Sequence, residues 1–516
     1  MMEQQQARDL FSSRFALILA ALGMAIGAGN IWRFPRIMAK FDGGGTLLIP
    51  WLVFLFSWSI PLLIVEAAIG RKTRKGVILS LGTMLGRNRT WLGGFVAFCT
   101  IAIMAYYAVV CGWCGIYVIE SLRVDFGAIG LEEATKRFES LAEGQLAVLS
   151  MFLAFAFSAV FVARGIRRGI EIANKILLPM LFLLLCVLIV AGLSREGSGA
   201  GLDYMFRVNW SKLATPAPWL EGLTQSAWST GAGWGLLLTL SVASSRDGNN
   251  VGDALVTGIG NNLASIVAAL ATIPAVFALA PVLAPDLEPI RVLGYSGPGN
   301  TGMAMVWLPR LFAQIGETGP YLSAVFFVAL TFAATTSLIA MVELATRTLM
   351  DLGLERPRAI GIVLVFGCLL GLPSALSLDV LQNQDWAWGI GLILSGFLFV
   401  VAIARVGFER FRQNWINRGG DKMGAWFSYV LMGLIPVQFL ILVGWWFYQT
   451  VAEEWSESPL DPFGTFSIGT CVFQWGLAFL VLRMFNKELS AGIAEAASGG
   501  QSGGRLDKQS PSDEGP

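Results

Sequence analysis

Apolar segments of about 20 residues, the length that crosses a hydrocarbon bilayer, recur from end to end of this chain. Twelve can be placed, near 15–37, 46–69, 91–120, 146–163, 172–193, 217–243, 254–280, 320–348, 359–377, 386–406, 425–449 and 464–484. Of 516 residues, 55% are hydrophobic and 14% charged, against roughly a quarter charged in soluble domains. The pattern predicts an all-α polytopic membrane protein. A membrane β-barrel would instead show short alternating segments. Net charge is +1, which gives no reason to expect nucleic acid as a partner. The chain has no histidine, which removes imidazole acid–base chemistry and imidazole metal ligands. All six cysteines lie in apolar segments, and Cys111 and Cys114 read as small apolar residues one helical turn apart. No nucleophile–base pair or zinc cluster stands out, so the chain does not read as an enzyme. No small-residue cleavage pattern follows MMEQQQARD, so the first apolar segment reads as a span rather than a leader.

Loop charge orients the spans. RKTRK (71–75), RNR (87–89), RGIRR (164–168), RPR (356–358) and RVGFERFR (405–412) fall on one side, expected to be cytoplasmic along with both termini. The acid-rich stretch 121–145 suits the outside. The expected organisation is a cytoplasmic segment 1–14, a transporter domain 15–485 and a Gly/Ser-rich disordered tail 486–516. Within the domain, repeats at about 15–193 and 217–406 precede two appended helices at about 425–484.

Two spans break the apolar pattern. The first carries GMAIGAGNIWRFP (23–35) and the sixth STGAGWG (229–235). They lie five spans apart, at matching positions of two halves. That predicts a 5+5 inverted repeat with its binding site at the breaks of helices 1 and 6. Freed carbonyls can replace a cation's water shell, and a half-helix N-terminus offers amides and a positive dipole end to an anion. Close helix packing alone could explain one such glycine cluster, but two matched ones favour a site. Arg33 needs an acidic or carbonyl partner in the membrane, and Asp385, just before the tenth span, is placed to provide it. The hydroxyls of Thr335, Thr336 and Ser337 suit sodium, or else bond back to their own helix. Asn261 and Asn262 offer amide oxygens. Glu66 either satisfies backbone freed by a break or acts directly. Tyr107, Trp228 and Trp234 suit a dry pocket or ordinary core packing.

GMAIGAGNIWRFP, GGGTLLIPW (43–51), PLLIVEAAIGR (61–71), AYY (105–107), GWG (233–235), FAATTS (332–337), QDWAWG (384–389) and INRGG (416–420) give the chain a resemblance to the neurotransmitter:sodium symporter family, its bacterial leucine-transporter branch included. The resemblance implies the leucine-transporter fold, a multi-pass cell-membrane location and two Na+ sites. One site would use main-chain oxygens of Gly23, Ile26 and Ala333 with the hydroxyls of Thr336 and Ser337. The other would use Ala25, Asn30, Ser229 and Asn261 with the substrate's own carboxylate. Tyr107 and the amides near Ala28 and Gly29 would hold that carboxylate. Ile103, Trp228, Gly231, Trp234, Ser337 and Met341 would surround the side chain. Gly27 stands where monoamine carriers of the family have aspartate, which implies a substrate bringing its own carboxylate.

By the same resemblance, Arg33, Asp385 and Gln225 form an outer gate with Trp228 as its lid, and Arg8 and Asp351 form an inner ion pair. Gly169 and Pro179 match a spacing that lets the fifth helix unwind. Two departures stand out. TLSVA (239–243) replaces the tyrosines usual beyond the second break, and Trp51 replaces a tyrosine of the family's chloride site. Gln225, Ser229, Asn261 and Ser265 are nevertheless the expected chloride contacts, because Ser265 supplies no compensating acid. The expected activity is sodium-coupled import of a neutral amino acid, of glycine or alanine size, by alternating access. The alternative is another zwitterion or osmolyte of the betaine or taurine kind. Oligomeric state stays open, a homodimer included.

Overall fold

A computed structural model describes residues 10–452 and 458–493. Among these residues every regular element is a helix. Nine are single helices long and apolar enough to cross a membrane: Gly45–Thr73, Arg87–Arg123, Gln145–Ala163, Ile166–Leu193, Asn250–Leu283, Gly319–Asp351, Arg356–Leu376, Leu378–Val406 and Trp426–Ala452. They are spans two to five and seven to eleven. The first span is two helices, Arg14–Ala25 and Ala28–Met38, bent by 50°. The sixth is split into Pro216–Ser229 and Leu236–Val242, and Ile468–Met484 is the twelfth.

Local chemistry sets several of the ends. Ser13, Asn249 and Ser467 each accept a backbone N–H of the first turn that follows, which supplies the orphan donors of a helix start. Ser377 does the same for the tenth span through Val380. That span therefore starts at Leu378, and Asp385 lies inside the helix rather than before it.

The most apolar stretches of spans three, eight and ten are 83%, 78% and 78% buried, whereas those of spans four, five, nine and eleven are 39%, 33%, 39% and 22% buried. The first group forms the core and the second a rim. The rim exposes Phe152, Leu183, Val365 and Leu440, apolar side chains that a bilayer rather than water would cover.

The breaks are held by specific bonds. At the second, Gly231, Gly233 and Gly235 have φ of 68°, 86° and 79°, a left-handed region that glycine enters without steric cost. Glu66, fully buried on span two, accepts Gly233 N–H at 2.7 Å and Leu238 N–H at 3.1 Å. Its carboxylate thereby ties the unwound segment to the second half-helix, which fulfils the backbone-satisfying role. Thr100 on span three donates to the Trp234 carbonyl at 2.7 Å. At the first break, Gly27 N–H donates to Ala25 O at 2.9 Å and to Asn30 Oδ1 at 3.1 Å.

The end of the bundle bearing the basic loops is closed. Phe11 N–H donates to Ala243 O at 2.9 Å, Arg74 donates to the carbonyls of Val242 and Ser244, and Arg14 and Arg71 both pair with Asp253. Backbone contacts from neighbouring segments thus cover TLSVA, where tyrosines were missing. Asp351 pairs with Arg347 at 2.9 Å and accepts Gly76 N–H; Arg8, its expected partner, lies outside the described residues. So does most of the expected tail. Its first part is folded, with Asn486–Leu489 helical and the Asn486 side chain accepting Trp91 N–H at 2.9 Å.

A Cβ on Gly233 would lie 2.7 Å from Gly396 Cα, whereas one on Gly231 would meet only side-chain atoms at 3.8 Å. Gly231→Ala should cost the ~1–2 kcal/mol of a left-handed residue. Gly233→Ala adds a backbone overlap of about 1–3 kcal/mol. Thermal melts of the purified protein in detergent should therefore show the larger drop in midpoint for Gly233→Ala.

Candidate functional site

The two breaks face one cavity of about 570 Å3. It runs from Met24, Gly27 and Ser337 at its base to Lys40 and Glu221, on the side opposite the basic loops. Its middle is aromatic. Trp228 and Trp234 meet edge-on with ring centroids 5.6 Å apart, and a Cβ on Gly389 would lie 2.5 Å from the Trp228 ring, so the bare glycine makes room for that indole. Ala25, Gly29, Tyr107, Ser229, Gly231 and Met341 also line the cavity. Ala28 contributes its N–H, which donates to Tyr107 Oη at 3.2 Å. Ile103 is fully buried on the third span and is not among the lining residues. Among the described residues the only acids on the wall, Glu221 and Asp385, belong to the vestibule. The base carries no carboxylate, and a half-helix N-terminus opens onto it. That polarity suits an anionic group.

Beside the first break lies a buried polar cluster. Asn30 Nδ2 donates to Ser229 Oγ at 3.2 Å, to Asn261 Oδ1 at 2.8 Å and to Ser265 Oγ at 2.8 Å. The oxygen end of the Asn261 amide sits 3.1 Å from the carbonyl oxygens of both Ala25 and Ser229. Three acceptors at that separation repel one another. Either the amide exchanges its nitrogen and oxygen, or a cation sits among them. The donor set is neutral oxygen throughout, which fits a hard monovalent ion and not a transition metal. Among the described residues no group of three or more His, Cys, Asp or Glu side chains could hold a metal.

A second cluster lies on the other flank of the break. Ser337 Oγ is 3.4 Å from Gly23 O, 3.1 Å from Met24 O and 3.4 Å from Ala333 O. Thr336 Oγ1 is 3.0 Å from Ala333 O and 3.2 Å from Phe332 O. Thr336 bonds back to its own helix, while Ser337 reaches across to the first span. Thr335 turns away, its hydroxyl 3.7 Å from Cys111 Sγ. Ile26 ends the first half-helix, its N–H on Leu22 O at 2.7 Å. These oxygens too are neutral and buried, a set suited to sodium.

In the vestibule Arg33 lies over the Trp228 ring at 5.0 Å, a cation–π distance. No ion pair among the described residues joins it to Asp385; instead Tyr106 Oη donates to Asp385 Oδ1 at 3.1 Å. Gln225 is buried on the same wall. The expected gate residues thus share one mouth, held apart. Tyr106 is the gate contact that sequence reasoning passed over. The AYY motif carried the signal, since neighbouring helical residues face different directions and two adjacent tyrosines can serve two sites.

Comparison with known proteins follows the same lines. The model of the sodium:neurotransmitter symporter family matches residues 8–130 and 129–482. An uncharacterized sodium-dependent transporter of Methanocaldococcus jannaschii is 27% identical over 447 residues, covering 83% of this chain and 88% of that one. The sodium-dependent serotonin transporter of Drosophila melanogaster is 25% identical, covering 91% and 81%. The crystal structure of MhsT in complex with L-phenylalanine superposes with a TM-score of 0.71 at 27% identity, covering 84% of this chain and 99% of MhsT. A match along almost the whole sequence, on a fold shared with a solved relative, means that the chain belongs to the sodium:neurotransmitter symporter family.

Proposed function

We propose that this transporter imports a neutral amino acid, driven by sodium, and that the substrate's carboxylate lies at the first break. The observation that carries the reading is the neutral cavity base, where Ala28 N–H and Tyr107 Oη meet 3.2 Å apart beside the cluster of Ala25, Asn30, Ser229 and Asn261. A bare amine would need a fixed carboxylate there, and the base has none. A zwitterion brings its own. Its carboxylate would take the half-helix amides and Tyr107, and would face a sodium ion held by the neighbouring oxygens. Ion and substrate would then each strengthen the other's binding. The cluster of Gly23, Ala333, Thr336 and Ser337 would hold a second sodium. The crystal structure of MhsT, a solved relative, is a complex with an amino acid, L-phenylalanine. The edge-on Trp228–Trp234 pair narrows the cavity and favours small side chains, although one methylene shifts such discrimination by only about 1–3 kcal/mol.

In this reading the basic loops are cytoplasmic, so the cavity opens outward and the inner end is sealed. Closure of Arg33 onto Asp385 above Trp228 would enclose the substrate. Chloride would have a charge-balancing role, because Gln225, Ser229, Asn261 and Ser265 include no carboxylate. Ser265 Oγ already bonds Asn30 and the Asn261 carbonyl, so an anion there would sit next to the proposed sodium cluster.

The substrate reading is tested by thermal-shift titration of the purified protein with neutral amino acids, betaine and taurine, in sodium and in choline. At least one neutral amino acid should raise the midpoint only in sodium, by an amount set by its saturation. Stabilisation by betaine or taurine alone would replace the amino acid with an osmolyte. Gly27→Asp should weaken that amino acid roughly a hundredfold or more, since like charges in contact cost several kcal/mol. A Cβ at Gly27 would lie 3.2 Å from both Ser337 Oγ and Tyr107 Oη. Replacing chloride with gluconate should lower the wild type's affinity for the same amino acid, and Ser265→Glu should remove the difference. If gluconate has no effect, chloride has no role here.

A further inference from the structure

Asn174 sits on the fifth span, 2% exposed, five residues beyond Gly169 and five before Pro179. Its amide orientation is fixed by one bond: Nδ2 donates to Ile170 O at 2.8 Å. Its other end has no partner. Asn174 Oδ1 is buried and makes no hydrogen bond, a costly state for an amide oxygen in a protein interior. It is aimed at the first break. A Cβ built on Gly23 would lie 1.7 Å from Asn174 Oδ1 and 3.3 Å from Thr336 Cβ. The bare Gly23 therefore makes room for this oxygen, beside the cluster of Gly23, Ala333, Thr336 and Ser337. Hydrogen-bond donors are scarce around it. Ser337 Oγ faces the carbonyls of Gly23, Met24 and Ala333, and Thr336 Oγ1 faces those of Ala333 and Phe332. An unpaired buried oxygen facing such a cluster is what a cation would relieve.

We infer that Asn174 is the fifth-span member of this sodium site, its Oδ1 turned to the ion while its Nδ2 holds the Ile170 carbonyl. The inference rests on reading the cluster as a sodium site and adds a residue to it. It also gives the ion a contact with the fifth span, which the Gly169–Pro179 spacing is expected to let unwind. Ile170 ends a π-helical turn, Ile166–Ile170, tightly packed at Gly169, where a Cβ would lie 1.8 Å from Phe161 O. The next residue, Glu171, accepts Ser12 N–H at 3.0 Å, the Ser12 hydroxyl and Lys175 Nζ at 2.6 Å. One amide thus joins the proposed ion to the first turn of the fifth span, and that turn holds the segment preceding the first span. With sodium present the amide is satisfied at both ends. Without it, Oδ1 is left unpaired and the turn gains by admitting water.

The test is sodium titration of the full-length protein in detergent, with choline as the replacement cation and thermal midpoint as the readout. Wild type should be stabilised by sodium alone. Asn174→Ala should raise the half-saturating sodium concentration about tenfold or more, as loss of a bond to a charged group implies. Asn174→Asp keeps an oxygen for the ion but has no N–H for Ile170. It should bind sodium at or below the wild-type concentration. Equal weakening by Ala and Asp would make the Ile170 bond the relevant contact and overturn the inference, as would an unchanged Ala variant. Hydrogen exchange on the wild type needs no variant: sodium should slow exchange across residues 166–178. Sodium stabilisation with no change there would also overturn it. If sodium fails to stabilise the wild type at all, the sodium-site reading itself falls, a result separable from failure of the Asn174 assignment.

Discussion

The structure depends on how it satisfies backbone that its own sequence leaves unpaired. A helix broken in a membrane exposes N–H and C=O groups with no water to pair them. At the second break one carboxylate resolves part of this: Glu66 takes Gly233 N–H in the unwound segment and Leu238 N–H in the half-helix that follows. Thr100 satisfies the Trp234 carbonyl. At the first break the work falls to Asn30, whose oxygen takes Gly27 N–H while its nitrogen enters the polar cluster. Only after these groups are paired are the remaining amides and carbonyls left to face the cavity and the oxygen clusters.

That division suits the proposed zwitterionic substrate, since among the described residues the cavity base has no carboxylate of its own. Apart from Glu66, which is spent on the second break, the charged groups around the cavity lie towards its two ends. In the vestibule Arg33, Arg36, Asp385 and Glu221 surround the mouth, and at the closed end Asp253 joins Arg14 and Arg71. Between them the binding groups are neutral dipoles. Dipoles can take an ion and a carboxylate together and release both, whereas a buried charge would carry a standing desolvation cost whenever the site is empty. A site that must fill and empty in each cycle is better made of such groups.

Much of this was legible in the sequence. Apolar length gave the twelve spans, and clustered glycines gave the two breaks, because both are local properties. The polar residues that gather at the breaks were also legible, since few reasons exist for Asn30, Asn261 or Glu66 to lie in apolar segments. Helix rotation and register were not, because neighbouring helices set them. Ile103 therefore lies in the core rather than on the cavity wall, and Asp385 lies inside the tenth helix behind its Ser377 cap. Tyr106, not Arg33, is its partner while this mouth is open. Likewise the absence of tyrosines in TLSVA did not reveal that Arg74 and Phe11 would cover that stretch through backbone carbonyls. Such substitutions come from residues distant in sequence.

In the proposed cycle, sodium moving down its gradient carries an amino acid through this cavity. The most direct measurement is uptake of a radiolabelled neutral amino acid into proteoliposomes loaded with potassium and diluted into sodium. The label should accumulate above the external concentration, and the accumulation should collapse when a sodium ionophore is added or when choline replaces sodium. Accumulation that persists without a sodium gradient, or mere equilibration with one, would contradict it.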